Sequence, residues 1–139
     1  METHRFLYLR LINGLRLAAS PFEVQCEVLP DFVNLPDEVL NAVGFFAVPQ
    51  LAKAGIISGI QAQRFRDYEA FLNTRAFVGD YDAAMKQLEE GPWFQELRER
   101  ALALLDLLGE RYERPTFEGV TYVKGTPPGD PKAKEEPGH

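Results

Sequence analysis

The chain has 139 residues, of which 45% are hydrophobic and 26% are charged, and its formal net charge is −6. These values are typical of one folded domain and exclude a wholly disordered chain. The one cysteine, Cys26, excludes an intramolecular disulfide and a cysteine-based zinc cluster, and we expect it to be buried. Because the first residues do not resemble a secretory signal and no apolar run could span a bilayer, we expect a cytoplasmic protein.

The acidic charge lies outside the last sixteen residues. Residues 124–139 contain three lysines (124, 132 and 134) and three acids (130, 135 and 136), so residues 1–123 carry the whole charge of −6. An acidic domain repels nucleic acid and anionic membranes and attracts basic proteins, although an acidic surface can also serve solubility alone. We therefore expect a protein partner, and neither nucleic acid nor a membrane.

The first apolar segment, residues 5–17, fits two structures. Its many Leu and Arg residues favour a helix that ends near Ala19, whereas Asn13-Gly14 between two apolar runs is a hairpin signal. We predict the helix.

The second segment is equally ambiguous, because residues 22–28 alternate apolar and polar side chains as a strand does. Ser20, Pro21 and Glu23 nevertheless form a helix start, with Ser20 as the N-cap. We predict a short helix that ends near Leu29.

Prolines organise the next stretch. The Pro-Asp pairs at 30–31 and 36–37 predict a loop and then a helix from about Pro36 to Val48, which Pro49 breaks or kinks before a short continuation closed by Gly55. The inward side chains predicted for the first of these helices are Val39, Leu40, Val43 and Phe46.

Two further helices are predicted from their caps. Ser58 and Gln61 form a capping pair for a helix from Gly59 to about Asn73, and Asp80 caps a helix from Tyr81 to Glu90. The inward side chains predicted for the first are Ile60, Phe65, Tyr68, Phe71 and Leu72.

The clearest signal is an amphipathic helix that starts at Pro92 and is closed by Gly109. Its apolar stripe comprises Trp93, Phe94, Leu97, Ala101, Leu104, Leu105 and Leu108. Its polar face comprises Gln95, Glu96, Arg98, Glu99, Arg100 and Asp106.

The fold class expected is mainly α, a compact bundle of about five to six helices in residues 1–123. Residues 116–123 have strand composition and form either one short strand or an extended arm over the helices. Gly, Pro and balanced charge predict a disordered tail over residues 124–139.

We predict no catalytic, cofactor-binding or metal-binding residue. The two histidines, His4 and His139, lie near the termini, and neither a phosphate-binding fingerprint nor a calcium-loop motif is present. Asp80-Tyr81-Asp82 is better interpreted as a capping turn than as a metal site.

The Pro-Asp loop is the candidate partner-binding surface, because two prolines stiffen it and a rigid loop loses little entropy on binding. The competing interpretation is that Phe32 and Leu35 pack into the core while the acids act as helix caps. The candidate partner-binding residues are Asp31, Phe32, Asn34, Asp37 and Glu38.

Four segments together resemble a group of small, uncharacterised bacterial helical proteins. The resemblance spans roughly residues 20 to 110 and implies a helical fold but no activity. The usual acidic, serine-containing turn is replaced here by residues 73–79. The segments are LPDFV (29–33), PDEV (36–39), GIIS (55–58) and WFQELRERA (93–101).

The leading functional hypothesis is an acidic, non-enzymatic protein-binding module, such as an immunity or antitoxin-like protein that neutralises or regulates a basic partner. One alternative is a small-ligand-binding protein or enzyme that uses Asp31, Asp37 or Glu38 with an arginine in a cleft between helices. A second alternative is a structural homo-oligomer that associates through the Trp93 helix.

Overall fold

The computed structural model describes residues 2–75 and 79–116, and seven helices account for most of them. No strand occurs within these two ranges, so the expected mainly α fold is confirmed there. No helix in the described part of the chain has the length and apolar character needed to cross a membrane. The helices are α1 (Glu2–Ala19), α2 (Phe22–Val28), α3 (Leu35–Leu40), α4 (Ala47–Lys53), α5 (Gly59–Leu72), α6 (Tyr81–Glu90) and α7 (Pro92–Leu107).

The core is built chiefly on the packing of α1 against α7. Tyr8, near the start of α1, contacts Glu110 just after α7, and Arg98 in the first half of α7 contacts Ser20 just after α1. The two helices therefore run antiparallel, and α4, α5 and α6 pack around them. The fully buried side chains shared by the two central helices include Leu11, Ile12, Leu15, Phe94, Leu97, Ala101 and Leu105.

The helical interpretation of the first two segments is confirmed, but two details are wrong. Ser20 does not cap α2: its hydroxyl donates to the Arg16 carbonyl oxygen at 2.7 Å and lies 2.8 Å from the Tyr112 hydroxyl, while Pro21 occupies the N-cap position. Cys26 is exposed rather than buried, because the short α2 turns Gln25 inward and Cys26 outward.

The long helix predicted from Pro36 to Val48 is wrong. α3 ends at Leu40, residues 41–46 form turns, and α4 starts at Ala47. Because of this break, Pro49 lies in the first turn of α4, where backbone N–H groups have no partner within the helix. In a continuous helix the proline would have removed one backbone hydrogen bond. The turns also expose 64% of Phe46, which was expected inside.

The capping signals of α5, α6 and α7 were predictive. Ser58 and Gln61 form a reciprocal capping box, Asp80 accepts from the Ala83 N–H, and Gly109 has the positive φ of 76° that favours glycine after a helix. On α5, Ile60 is 68% exposed instead of inward, since it lies in the first turn, at the edge of the core.

Residues 110–116 lie extended across α1. The Asn13 side chain donates to the Thr116 carbonyl oxygen at 2.7 Å and accepts from the Thr116 N–H at 3.0 Å, and Arg16 donates to the Arg111 carbonyl oxygen. An extended arm was one of the two structures expected from residue 116 onward. Residues 117–123 and the tail at 124–139 lie outside the described residues.

Candidate functional site

The Pro-Asp loop presents its acids and its aromatic side chain to solvent while it anchors itself through apolar neighbours. Asp31 and Asp37 are exposed, and Phe32 is 37% exposed, whereas Leu35 and Pro36 are buried at the start of α3. The competing interpretation is therefore right for Leu35 but not for Phe32. The loop holds an aromatic side chain at the surface between carboxylates.

Asn34 has a structural role in this loop. Its side-chain oxygen accepts from the Asp37 N–H at 3.1 Å and so caps α3. Because its side-chain oxygen already accepts this hydrogen bond, Asn34 stabilises the conformation of the loop. The negative charge of the loop comes from the neighbouring acids. The carboxylates of Asp37 and Glu38 stand in the first turn of α3, where the helix dipole favours negative charge.

Further carboxylates lie on α2 and α6, both of which pack against α3. Glu23 and Glu27 are one helical turn apart on α2, and Glu89 lies at the end of α6. The pKa of the exposed Cys26 thiol is raised, chiefly by partial desolvation. The charges of Glu89, Glu23 and Glu27 raise it further.

We call this surface the acidic face. Among the described residues, Asp31, Asp37 and Glu89 make no ion pair, and Glu27 pairs with Arg114 at 2.9 Å, both side chains being more than half exposed. An exposed pair of this kind contributes little stability, so Glu27 can exchange its partner readily. The members of the acidic face are Glu23, Glu27, Asp31, Phe32, Asp37, Glu38 and Glu89.

The sequence-based prediction named residues of the Pro-Asp loop and did not name the acids of α2 and α6. The spacing of Glu23 and Glu27 puts two acids on one side of α2 and was visible in the sequence. The approach of Glu89 was not visible, because it depends on how α6 packs against α3.

Arg98 was also misplaced by the sequence pattern, which put it on the solvated face of α7. It is half-buried and donates to the carbonyl oxygens of Ser20, at 3.0 Å, and Leu88, at 2.5 Å. Burial lowers its pKa, and the carboxylate of Glu23 opposes that shift. Arg98 thus joins the ends of α1 and α6 beneath the acidic face.

A separate cavity of about 280 Å³ lies between α5 and α7. None of Asp31, Asp37 and Glu38 lines it, so these acids and the cavity do not form the common cleft expected for the ligand-binding alternative. Within the described ranges, no group of three or more His, Cys, Asp and Glu side chains could hold a metal ion. The lining residues are Arg64, Asp67, Tyr68, Arg100, Ala103, Leu104 and Leu107.

Trp93, the residue on which an oligomer was hypothesised, is engaged within the chain. Its ring is half-buried and stacks on Phe71 at a centroid distance of 4.9 Å, and its Nε1–H donates to the Thr74 hydroxyl at 3.1 Å. These contacts leave only part of the indole for a second copy.

No model of a known protein family, no curated protein and no solved structure matches this chain. Its function is therefore argued from its own residues.

Proposed function

We propose that this protein is an acidic, non-enzymatic protein-binding module that presents its acidic face to a basic partner protein, in the manner of an immunity or antitoxin-like protein. One observation carries the proposal: carboxylates lie on α2, in the Pro-Asp loop, on α3 and on α6, the helix α3 packs against both α2 and α6, and Phe32 is exposed in the loop. A charged rim around an aromatic side chain is a common arrangement at protein interfaces.

The physical role of the carboxylates is to guide and orient the partner. Clustered charges of one sign raise the rate at which an oppositely charged protein arrives, and they reject acidic competitors. The pKa of the Cys26 thiol is raised first by desolvation and then by the charges of Glu89, Glu23 and Glu27, so this thiol reports the negative potential around α2.

Phe32 would supply the apolar contact that charge alone does not provide. Its position between Pro30 and the capped start of α3 restricts the backbone, so little conformational entropy is lost when a partner covers the ring. We expect Phe32 to govern dissociation and the acids to govern association.

The proposal is tested by capturing proteins from a lysate of the source organism on the immobilised full-length chain. The comparison is between the wild type and the triple variant Asp31→Asn, Asp37→Asn, Glu38→Gln. We expect a basic protein to be captured by the wild type, to be lost from the variant, and to bind more weakly as salt is raised.

A second triple variant, Glu69→Gln, Glu99→Gln, Asp106→Asn, is the matched control. It removes three exposed acids that lie off the acidic face, so both variants have the same net charge. Retention of the partner by the control supports the acidic face. Equal loss from both variants, or binding that salt does not weaken, contradicts the proposal.

A further inference from the structure

The cavity between α5 and α7 differs in charge from the rest of the protein. Two of its lining side chains are cationic, Arg64 and Arg100, and one is anionic, Asp67, so the lining carries a net charge of +1 in a protein of net charge −6. Ala103, Leu104 and Leu107 supply an apolar wall. A pocket with apolar walls and a few charged groups is the usual form of a small-ligand site.

Tyr68 is the most informative residue of the lining. Its side chain is only 3% exposed, yet its hydroxyl makes no hydrogen bond with any part of the protein that the structure describes. Tyr68 is one of the residues that line the cavity.

A hydroxyl in a cavity lining that makes no hydrogen bond with the described residues has its donor available to a ligand. Burial also raises the pKa of Tyr68, so the group remains a neutral donor at all physiological pH values. Such a donor fits a ligand that brings an acceptor.

Arg64 and Arg100 line the same cavity as Tyr68. Arg64 lies one helical turn before Tyr68, and tyrosine side chains on a helix lean toward the preceding turn. Arg64 contacts Asp67 through one nitrogen at 3.4 Å, which leaves most of its donors available.

Arg100 approaches from α7 and is held in place. It pairs with Glu96 at 2.7 Å, and its guanidinium lies 4.4 Å from the centre of the Phe71 ring. A guanidinium fixed in this way loses little freedom when it binds a further anion.

We propose that this cavity binds a small amphipathic monocarboxylate, whose carboxylate accepts from Arg64, Arg100 and the Tyr68 hydroxyl while its apolar body covers Ala103, Leu104 and Leu107. The planar guanidinium of each arginine matches the geometry of a carboxylate. The site is distinct from the acidic face and shares no residue with it.

The probe is 4-phenylbutyrate, with 4-phenylbutan-1-ol as its uncharged counterpart, each titrated into the full-length protein by ¹H–¹⁵N NMR. We expect saturable shifts confined to α5 and α7, and affinity for the alcohol to be lower by about tenfold, the value of one charge-assisted hydrogen bond.

Three variants identify the donors. Tyr68→Phe and Arg100→Gln should each weaken 4-phenylbutyrate binding by about fivefold to tenfold. Arg66→Gln is the matched control and should bind as the wild type does, because Arg66 lies on α5 outside the cavity and its hydrogen bonds with described residues go to Gln63.

Thermal unfolding separates binding from structure. Tyr68→Phe removes a hydroxyl that makes no hydrogen bond with the described residues, so its melting temperature should equal or exceed that of the wild type while its affinity falls. Equal binding of the alcohol, wild-type affinity in both Tyr68→Phe and Arg100→Gln, or no saturable shift up to the solubility limit would each overturn the proposal. Failure here leaves the acidic-face proposal untouched, because the two experiments share no residue.

Discussion

Polar groups are paired at the junction formed by Arg98, Ser20 and Leu88, whereas they are solvated on the acidic face. At the junction, one half-buried guanidinium satisfies the carbonyl oxygens of Ser20 and Leu88, at the ends of α1 and α6. On the acidic face, Asp31, Asp37 and Glu89 point into solvent and make no ion pair with described residues.

This difference separates residues that maintain the fold from residues that are solvated at the surface. A buried polar group left unpaired lowers stability by about 1–3 kcal/mol, whereas an exposed carboxylate is solvated and contributes little. We therefore expect substitutions at the junction to change unfolding, and substitutions on the acidic face to change its electrostatic potential without changing unfolding.

The largest effect is expected for Arg98→Met, which keeps the length of the side chain and removes its donors. The carbonyl oxygens of Ser20 and Leu88 would then lack their charged partner, and we expect a loss of about 3 kcal/mol in the free energy of unfolding. Urea denaturation measures this loss. Arg66→Met, on an exposed part of α5, is the control and should change stability by less than about 0.5 kcal/mol. A loss for Arg98→Met that is no larger than the loss for Arg66→Met would contradict the structural role of Arg98.

Gly14→Ala should have the next largest effect, of unusual sign. Alanine normally stabilises a helix relative to glycine, but a β-carbon at Gly14 in α1 would collide with the Ala42 carbonyl oxygen. We expect a net loss of about 2 kcal/mol from this overpacking.

Gly59→Ala is the matched variant, since a β-carbon there meets no atom within 4 Å. It should leave stability unchanged or raise it slightly. Stabilisation by both substitutions would mean that α1 and the 41–46 turns can separate without loss, contrary to the close packing described.

Asn13→Ala tests the attachment of residues 110–116 to α1. It removes both hydrogen bonds with the Thr116 backbone, which are partly exposed, so we expect a loss of about 1 kcal/mol. Asn13→Asp keeps one acceptor and removes the donor, and its loss should be smaller. Amide hydrogen exchange at Thr116 reports the same contact directly, and exchange unchanged in Asn13→Ala would contradict it.

Local signals in the sequence were informative at three helix ends but not at Ser20, which does not cap α2. Ser58 with Gln61, Asp80 and Gly109 each act within one turn of the chain, and each marks its helix end as expected. The split between α3 and α4 was missed because apolar periodicity runs through residues 36–48, and the position of Pro49 in a first turn became evident only with the fold.

The errors at Arg98 and Glu89 have a common cause in tertiary packing. Arg98 looks like a surface residue until α1 and α6 bring their carbonyl groups to it, and Glu89 joins the acidic face only because α6 packs on α3. Tyr68 was correctly assigned to the inward side of α5, but no pattern in the sequence indicates that its hydroxyl makes no hydrogen bond with the described residues.

The smallest effect expected is a chemical one, at Cys26, and it reports the acidic face without any partner. Because desolvation and the charges of Glu89, Glu23 and Glu27 raise the pKa of the thiol, less thiolate is present at a given pH than in a free cysteine, and alkylation should rise only at higher pH. The same charges should repel anionic iodoacetate more than neutral iodoacetamide. Neutralisation by Glu23→Gln, Glu27→Gln and Glu89→Gln should therefore speed alkylation by iodoacetate by about twofold to threefold relative to iodoacetamide, and salt should reduce the difference. The triple variant Glu69→Gln, Glu99→Gln, Asp106→Asn has the same net charge, so an equal change in its rate ratio would assign the field to the whole protein and remove the acidic face as a distinct surface.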